Sequence, residues 1–261
     1  MLRLAERIKQ TEVSSGELAI FWIGQAGFVF KTAHGGVVYV DPYLTDSVAR
    51  QLGHLMYGFK RLTPTLIEPD EVEADLVVVT HEHQDHFDVD LMPVLAGKSR
   101  MRFAGSSGCE QLFQAAGITA DRYAVFRARQ RLDFDGLSVT GVYADHGELA
   151  PDALGVLLQF GDITVWQVGD TAYRPDKWQD ICQRGVDILI PPINGAFGNL
   201  DGAEAARLAA DAKAKMVIPC HFWMFAEHNG NPAQFLEACK ALAPESQAHL
   251  MSQGELLLYR K

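Results

Sequence analysis

The chain contains no hydrophobic run approaching the roughly 20 apolar residues that a membrane-spanning helix requires, and this excludes such a helix. Its four cysteines, Cys109, Cys182, Cys220 and Cys239, are far apart and form no Cys-x-x-Cys pair. That spacing supports neither a disulfide framework nor a zinc knuckle, and a reducing cytoplasm is the compartment expected. The first ten residues, Met1 to Gln10, mix charges among their apolar positions and so lack the continuous core of a signal peptide. Basic residues are also scarce, 23 Lys and Arg against 33 Asp and Glu, for a net charge of −10. A polynucleotide surface needs clustered Lys and Arg, so this balance argues against one.

Globular character is clear, with 48% hydrophobic and 21% charged residues over 261 positions. That length suits one domain, residues 1–261, with ample apolar surface for a core. Strand patterns alternate with helical ones along much of the chain, which predicts a layered α/β architecture. Leu18 to Ile23, Gly27 to Thr32 and Val37 to Val40 follow one another closely and predict an antiparallel meander. The stretch from Tyr43 to Glu73 is irregular and reads as a lid or a pocket wall, with Lys60 and Arg61 facing either substrate anions or solvent. The segment 120–136 shows no legible element; Arg127, Arg129 and Arg131 there predict a solvated basic face.

The stretch that carries chemistry is Leu76-Val77-Val78-Val79-Thr80-His81-Glu82-His83-Gln84-Asp85-His86. Four apolar residues predict a buried strand, and three imidazoles and a carboxylate follow at its C-terminal end. Each imidazole in such a cluster needs a hydrogen-bond partner or a metal. Alternation along an extended segment sends His81 and His83 to one side, and neutral imidazole and carboxylate suit zinc, manganese or iron. A solvated loop with chance histidines is the alternative.

His81-Glu82-His83-Gln84-Asp85-His86 resembles the H-x-H-x-D-H motif of the metallo-β-lactamase superfamily. The resemblance implies an αββα four-layer sandwich with two divalent metal ions along one edge. It also gives meaning to strand-end residues that are unremarkable alone: Asp41 after Val40, His146 in Asp145-His146-Gly147, Asp170 in Gly169-Asp170-Thr171, and His221 after Pro219-Cys220. Carried over, His81, His83 and His146 hold one metal, Asp85, His86 and His221 the second, Asp170 bridges them and Asp41 supports the ligands. Asp41 also reads as a plain turn carboxylate before Pro42. Asn194, Phe197 and Trp223 follow strand ends and are candidates for a substrate pocket, while Cys220 reads as a core thiol and His228 and His249 match no ligand position.

Such a metal pair implies hydrolysis by a bridging hydroxide, with Asp85 available for the leaving-group proton and Asp170 essential to the centre. The segments around Asp170, Pro191 to Gly195 and Ile218 to Phe222 look most like the L-ascorbate-6-phosphate lactonase-like branch, which implies a small lactone or ester substrate. An anionic, phosphorylated one is compatible with the acidic chain, because the metals dominate their own surroundings. A small phosphodiesterase and a thioester hydrolase are the alternatives on the same metals, and a non-catalytic metal-binding module is the alternative of another class. A two-fold homo-oligomer is the default for a soluble enzyme.

Overall fold

The computed structural model describes residues 2–261, which form two compact units. The first comprises residues 2–126 with Met224–Ala226 and Ser252–Lys261. Its elements are α1 (Leu4–Gln10), β1 (Glu17–Gly24), β2 (Gly27–Thr32), β3 (Val37–Val40), α2 (Ser47–Leu52), β4 (Leu76–Val79), α3 (Leu91–Ala96), β5 (Arg102–Ser106), α4 (Glu110–Ala115) and β6 (Tyr123–Phe126). They build a seven-stranded sheet in which the C-terminal strand Leu256–Arg260 lies on the free side of β1 and β1 to β6 follow in chain order. The expected meander is present, since β1–β2 and β2–β3 pair antiparallel. From β3 onward the pairing is parallel. That change matters for function, because parallel neighbours bring their C-terminal ends side by side.

The core on one face of this sheet is rich in aromatic and branched residues. Phe113 on α4 stands 5.3 Å from Phe87, 6.0 Å from Phe103 and 5.4 Å from Tyr123, ring centre to ring centre, and is fully buried. The strand residues Val77 and Val79 of β4 belong to the same cluster. The apolar stretch that precedes the histidines is therefore held from beneath by tight packing.

The second unit comprises Arg127–Trp223 and Glu227–Met251. Its elements are β7 (Arg131–Phe134), β8 (Leu137–Tyr143), β9 (Leu154–Phe160), β10 (Ile163–Gln167), α5 (Gln179–Arg184), β11 (Ile188–Ile190), α6 (Gly202–Asp211), β12 (Met216–Val217), α7 (Pro232–Leu242) and β13 (Gln247–Ala248), with β7 to β13 in chain order across a second seven-stranded sheet. Strands β7 to β10 pair antiparallel and β10 to β13 parallel. Two antiparallel steps make β8 parallel to β10, so β8, β10, β11, β12 and β13 all end on one edge of this sheet. α6 is closed by a capping box in which Asp201 accepts from Ala203 and Glu204 and Glu204 accepts from Asp201.

Several elements differ from the sequence expectation. The illegible segment 120–136 contains β6 and β7, an edge strand in each sheet, where half-burial weakens the apolar alternation. The irregular stretch from Tyr43 contains α2, and Tyr43, Val48 and Phe59 pack with Met224 and Phe225. Arg61 is half-buried there. Its guanidinium donates to the carbonyls of Tyr43, Thr45 and Thr63 and lies 4.7 Å from the centre of the Tyr43 ring, which makes it a clasp for this segment. A 3₁₀ turn at Pro175–Lys177 precedes α5. All four cysteines are free, and among the described residues no helix is long and apolar enough to cross a membrane.

Phe113→Ala should lower the unfolding free energy by about 3–5 kcal/mol, the range for a large aromatic removed from a packed core. Urea unfolding followed by circular dichroism measures it, and a loss below about 1 kcal/mol would contradict this account of the α4 core.

Candidate metal centre

In the first unit the register Val40↔Val78 sets the C-terminal ends of β3 and β4 next to each other, and the Asp41 amide donates to the Val78 carbonyl at 2.9 Å. Asp41 is fully buried. Its Oδ1 accepts from the Thr80 amide at 2.7 Å, while its Oδ2 accepts from the Thr80 hydroxyl at 2.7 Å and from His86 Nδ1 at 2.8 Å. A carboxylate is an acceptor only, so His86 must carry its proton on Nδ1 and present Nε2 as the ligating nitrogen. The Thr80 hydroxyl spends its one proton on Asp41 and therefore accepts from His81 Nδ1, 3.1 Å away. His81 is fixed in the same tautomer. One carboxylate thus sets the ligating nitrogen of two histidines, the arrangement by which outer partners tune metal ligands.

His81 Nε2 approaches His83 Nδ1 to 3.1 Å, with the rings at 70° and their centres 4.6 Å apart. Two nitrogens on one tetrahedral zinc, at bonds of about 2.0–2.1 Å, stand about 3.3–3.4 Å from each other. Donor type and spacing therefore fit a shared cation. Asp85 Oδ2 accepts from Gln25 Nε2 at 2.7 Å and lies 3.7 Å from His86 Nε2. His81, His83, Asp85, His86 and Asp41 are thus gathered at one sheet edge of the first unit.

The second unit gathers His146, Asp170 and His221 at the edge where β8, β10 and β12 end. Asp170 Oδ2 lies 3.2 Å from His221 Nε2 and 3.8 Å from His146 Nε2, and it accepts from Asn199 Nδ2 at 2.7 Å. Gly169 precedes it at φ +73°, and a Cβ there would stand 2.4 Å from the Leu154 carbonyl oxygen. Only glycine fits, and the bend it permits turns Asp170 off the end of β10. Thr171 ties the neighbouring loop in place: its hydroxyl accepts from the Asp145 amide at 2.7 Å, and the Ala172 amide returns to the Asp145 carbonyl at 2.9 Å.

The pocket candidates are placed unequally. Asn194 is buried and donates to Ala196 within its own loop. Phe197 and Trp223 are exposed aromatics, at 39% and 59% of their surface. Trp223 Nε1 donates to the Gly230 carbonyl at 3.1 Å, which holds the indole against its loop. Cys220 is buried, as a core thiol would be.

Gln25, which holds Asp85, and three further contributors escaped the sequence reading. Asn199 orients Asp170, yet nothing in its surroundings marks it. His228 is buried with its ring stacked on His221 at 4.7 Å and 24°, and Phe197 meets it edge-on at 5.5 Å. Asp88 accepts five hydrogen bonds, from the amides of Leu44, Thr45, Asp90 and Leu91 and from the Thr45 hydroxyl. The position of Asp88 just past the histidine motif and before an apolar helix was the available signal, that of a helix-start carboxylate.

The chain matches, over residues 19–221, the family model described as a beta-lactamase superfamily domain. It belongs to that superfamily. A metal-dependent hydrolase of Polynucleobacter asymbioticus is 26% identical over 248 residues, covering 87% of this chain and 82% of that protein. A protein of Salmonella heidelberg named as a probable L-ascorbate-6-phosphate lactonase is 24% identical over 271 residues, covering 88% of this chain and 77% of that protein. Among solved structures, a metallo hydrolase of the archaeon Ignicoccus hospitalis superposes with a TM-score of 0.73 at 18% identity, covering 94% of this chain and 99% of that one. The fold is that of the metallo-β-lactamases, as the His81–His86 motif led one to expect.

Asp88→Ala should destabilise the chain by about 3 kcal/mol or more, because it strands several donors around a buried position. Asp88→Asn, which keeps an acceptor, should cost less in the same denaturant titration. Equal, small effects would mean that Asp88 does not anchor the loop behind the histidines.

Proposed function

We propose that the chain is a metal-dependent hydrolase acting on a small lactone or ester, one that carries an anionic group such as phosphate. His81, His83 and His146 hold one divalent ion, Asp85, His86 and His221 a second, and Asp170 bridges them, in one domain spanning residues 1–261. The observation that carries this reading is the tautomer lock, in which Asp41 and Thr80 leave Nε2 of both His81 and His86 as the ligating atom. Imidazoles held in that way present Nε2 to a cation. Family membership and the superfamily's ligand order support the full set of seven residues, and the family match runs through both units.

Zinc or manganese fits these nitrogen and oxygen donors, as does iron. Two such ions supply a nucleophile at neutral pH and polarise the carbonyl or phosphoryl oxygen under attack. The protein's own groups do the rest. Asp85, held by Gln25, passes a proton to the departing oxygen; Asn199 and Gly169 fix the direction of Asp170; Phe197 and Trp223 supply apolar walls to the substrate pocket, with Asn194 shaping the loop beneath. Both named relatives are described as hydrolases, one of them for a phosphorylated lactone, and this is the origin of the substrate class. The free thiols agree with a cytoplasmic enzyme, and a homo-oligomer is its expected state.

Elemental analysis of anaerobically purified protein should find about two metal ions per chain, and refilled apo-protein should turn over members of a lactone panel faster than phosphodiesters or thioesters. Asp170→Ala should lose metal and activity together. Preference for a phosphodiester or thioester would move the substrate class, whereas bound metal with no turnover on any panel would favour a non-catalytic module. Asp41→Asn should weaken metal binding by about 10- to 100-fold in chelator competition, the effect typical of outer partners of ligating histidines. Unchanged affinity would refute the tautomer lock.

A further inference from the structure

The second unit carries a groove that the metal reading does not use. It has a volume of about 570 Å³, within the size range of small-molecule sites, and lies where β7, β8 and β9 meet α5. The register sets Arg131, Thr140 and Leu157 in one row across three strands, so their side chains share a face of the sheet. Trp178 and Ile181 close that face from the other side. The floor is rigid. Trp178 is buried, its Nε1 donates to the Tyr143 carbonyl at 2.8 Å, and its ring stands edge-on to Trp166 at 5.5 Å.

The walls have the opposite sign from the chain as a whole. Arg129, Arg131, Lys177 and Arg184 line the groove against a single acid, Asp180, in a protein of net charge −10. Arg131 pairs with Asp133 at 2.8 Å, and Lys177 pairs with Asp176 at 3.4 Å while lying 5.9 Å above the Tyr143 ring. Among the described residues the guanidinium groups of Arg129 and Arg184 make no ion pair and no hydrogen bond. Arg129 also sits at φ +70°, a conformation that favours glycine, where its amide donates to the Gly141 carbonyl at 2.8 Å. A long cationic side chain at a backbone position suited to glycine is an outlier of the kind found at binding sites.

We propose that this groove binds a small organic phosphate, its apolar or aromatic body lying against Val142, Leu157, Trp178 and Ile181 and its phosphate held by Arg129 and Arg184. Planar guanidinium groups match phosphate oxygens in pairs, and two of them with a nearby ammonium suit a dianion. An apolar floor adds binding that a free inorganic ion cannot use. None of His146, Asp170 and His221 lines the groove, so the site does not depend on the metal reading.

Isothermal titration calorimetry of the full chain with adenosine monophosphate, octyl phosphate and inorganic phosphate tests this. One organic phosphate should bind with a stoichiometry of one, at least about tenfold tighter than inorganic phosphate; which of the two does so tells an aromatic body from an alkyl one. Arg129→Gly, which relieves the backbone strain, and Arg184→Gln on the exposed last turn of α5 should each weaken binding by about tenfold. Lys240→Gln on α7, outside the groove, should leave it unchanged. The proposal fails if no organic phosphate binds, if inorganic phosphate binds as tightly, or if the two arginine variants match the Lys240 variant. It also fails if sedimentation shows that a second copy covers the groove, with Arg129→Gly and Arg184→Gln converting a dimer into monomers. Thermal melts monitored by circular dichroism confirm folding of each variant, and Arg184→Gln alone suffices if Arg129→Gly does not fold.

Discussion

A single buried carboxylate, Asp41, holds the first half of the site in register. It takes three donors, from the Thr80 amide, the Thr80 hydroxyl and His86 Nδ1, and has no Lys or Arg among them. Burying a charge this way is tolerable only when its oxygens are fully engaged, and here the engagement also does chemical work. Because the acceptor cannot give a proton back, the direction of each hydrogen bond is determined, and the determination passes through Thr80 to His81. The parallel pairing of β3 and β4 is what makes the contact, since an antiparallel neighbour would have put these two strand ends at opposite edges of the sheet.

The second unit reaches a comparable result by other means. Five of its strands end on one edge, and the residues there are turned by backbone shape more than by buried charge. Gly169 admits a bend that any side chain would block, and Asn199 then gives Asp170 Oδ2 a donor. His221 adopts φ +59° and Trp223 φ +61°, so the chain after β12 coils tightly enough for His228 to return and stack on His221. A stacked ring restricts the rotation of His221. Of the nine non-glycine residues with positive φ among the described residues, Gln25, Asp41, Phe197, His221 and Trp223 belong to these two constellations. Strain of this kind persists only where the surroundings over-determine it, and the packed β4 and β10 strands beneath supply that surplus.

What could be read from the sequence follows from range. The strand Leu76–Val79 and the meander of β1 to β3 are legible because pattern and turn chemistry act between near neighbours. The histidines at 81, 83 and 86 are legible for the same reason, as ligand types packed together have few structural uses. His146, Asp170 and His221 gained meaning from the resemblance and not from their own spacing, since each is a single polar residue after a strand. Asn199 and His228 were not legible at all. Their roles arise from loops that fold back across many residues, and no local pattern distinguishes an asparagine that orients a carboxylate from one in an ordinary turn.

The edge strands show the same limit from the side of packing. β7 has no fully buried residue, so its alternation is blurred, and the arginines at 127, 129 and 131 read as a solvated face. Pairing with β8 alters that reading for two of them. Arg131 falls in a row with Thr140 and Leu157, and Arg129 is turned by its positive φ into the rim of a cavity whose other wall, α5, lies some fifty residues away in sequence. Charge that looks dispersed along an edge strand becomes concentrated once the strand is paired and covered. A local electrostatic site can thus sit within a strongly acidic chain, because a field at short range depends on which charges a fold brings together and not on their sum.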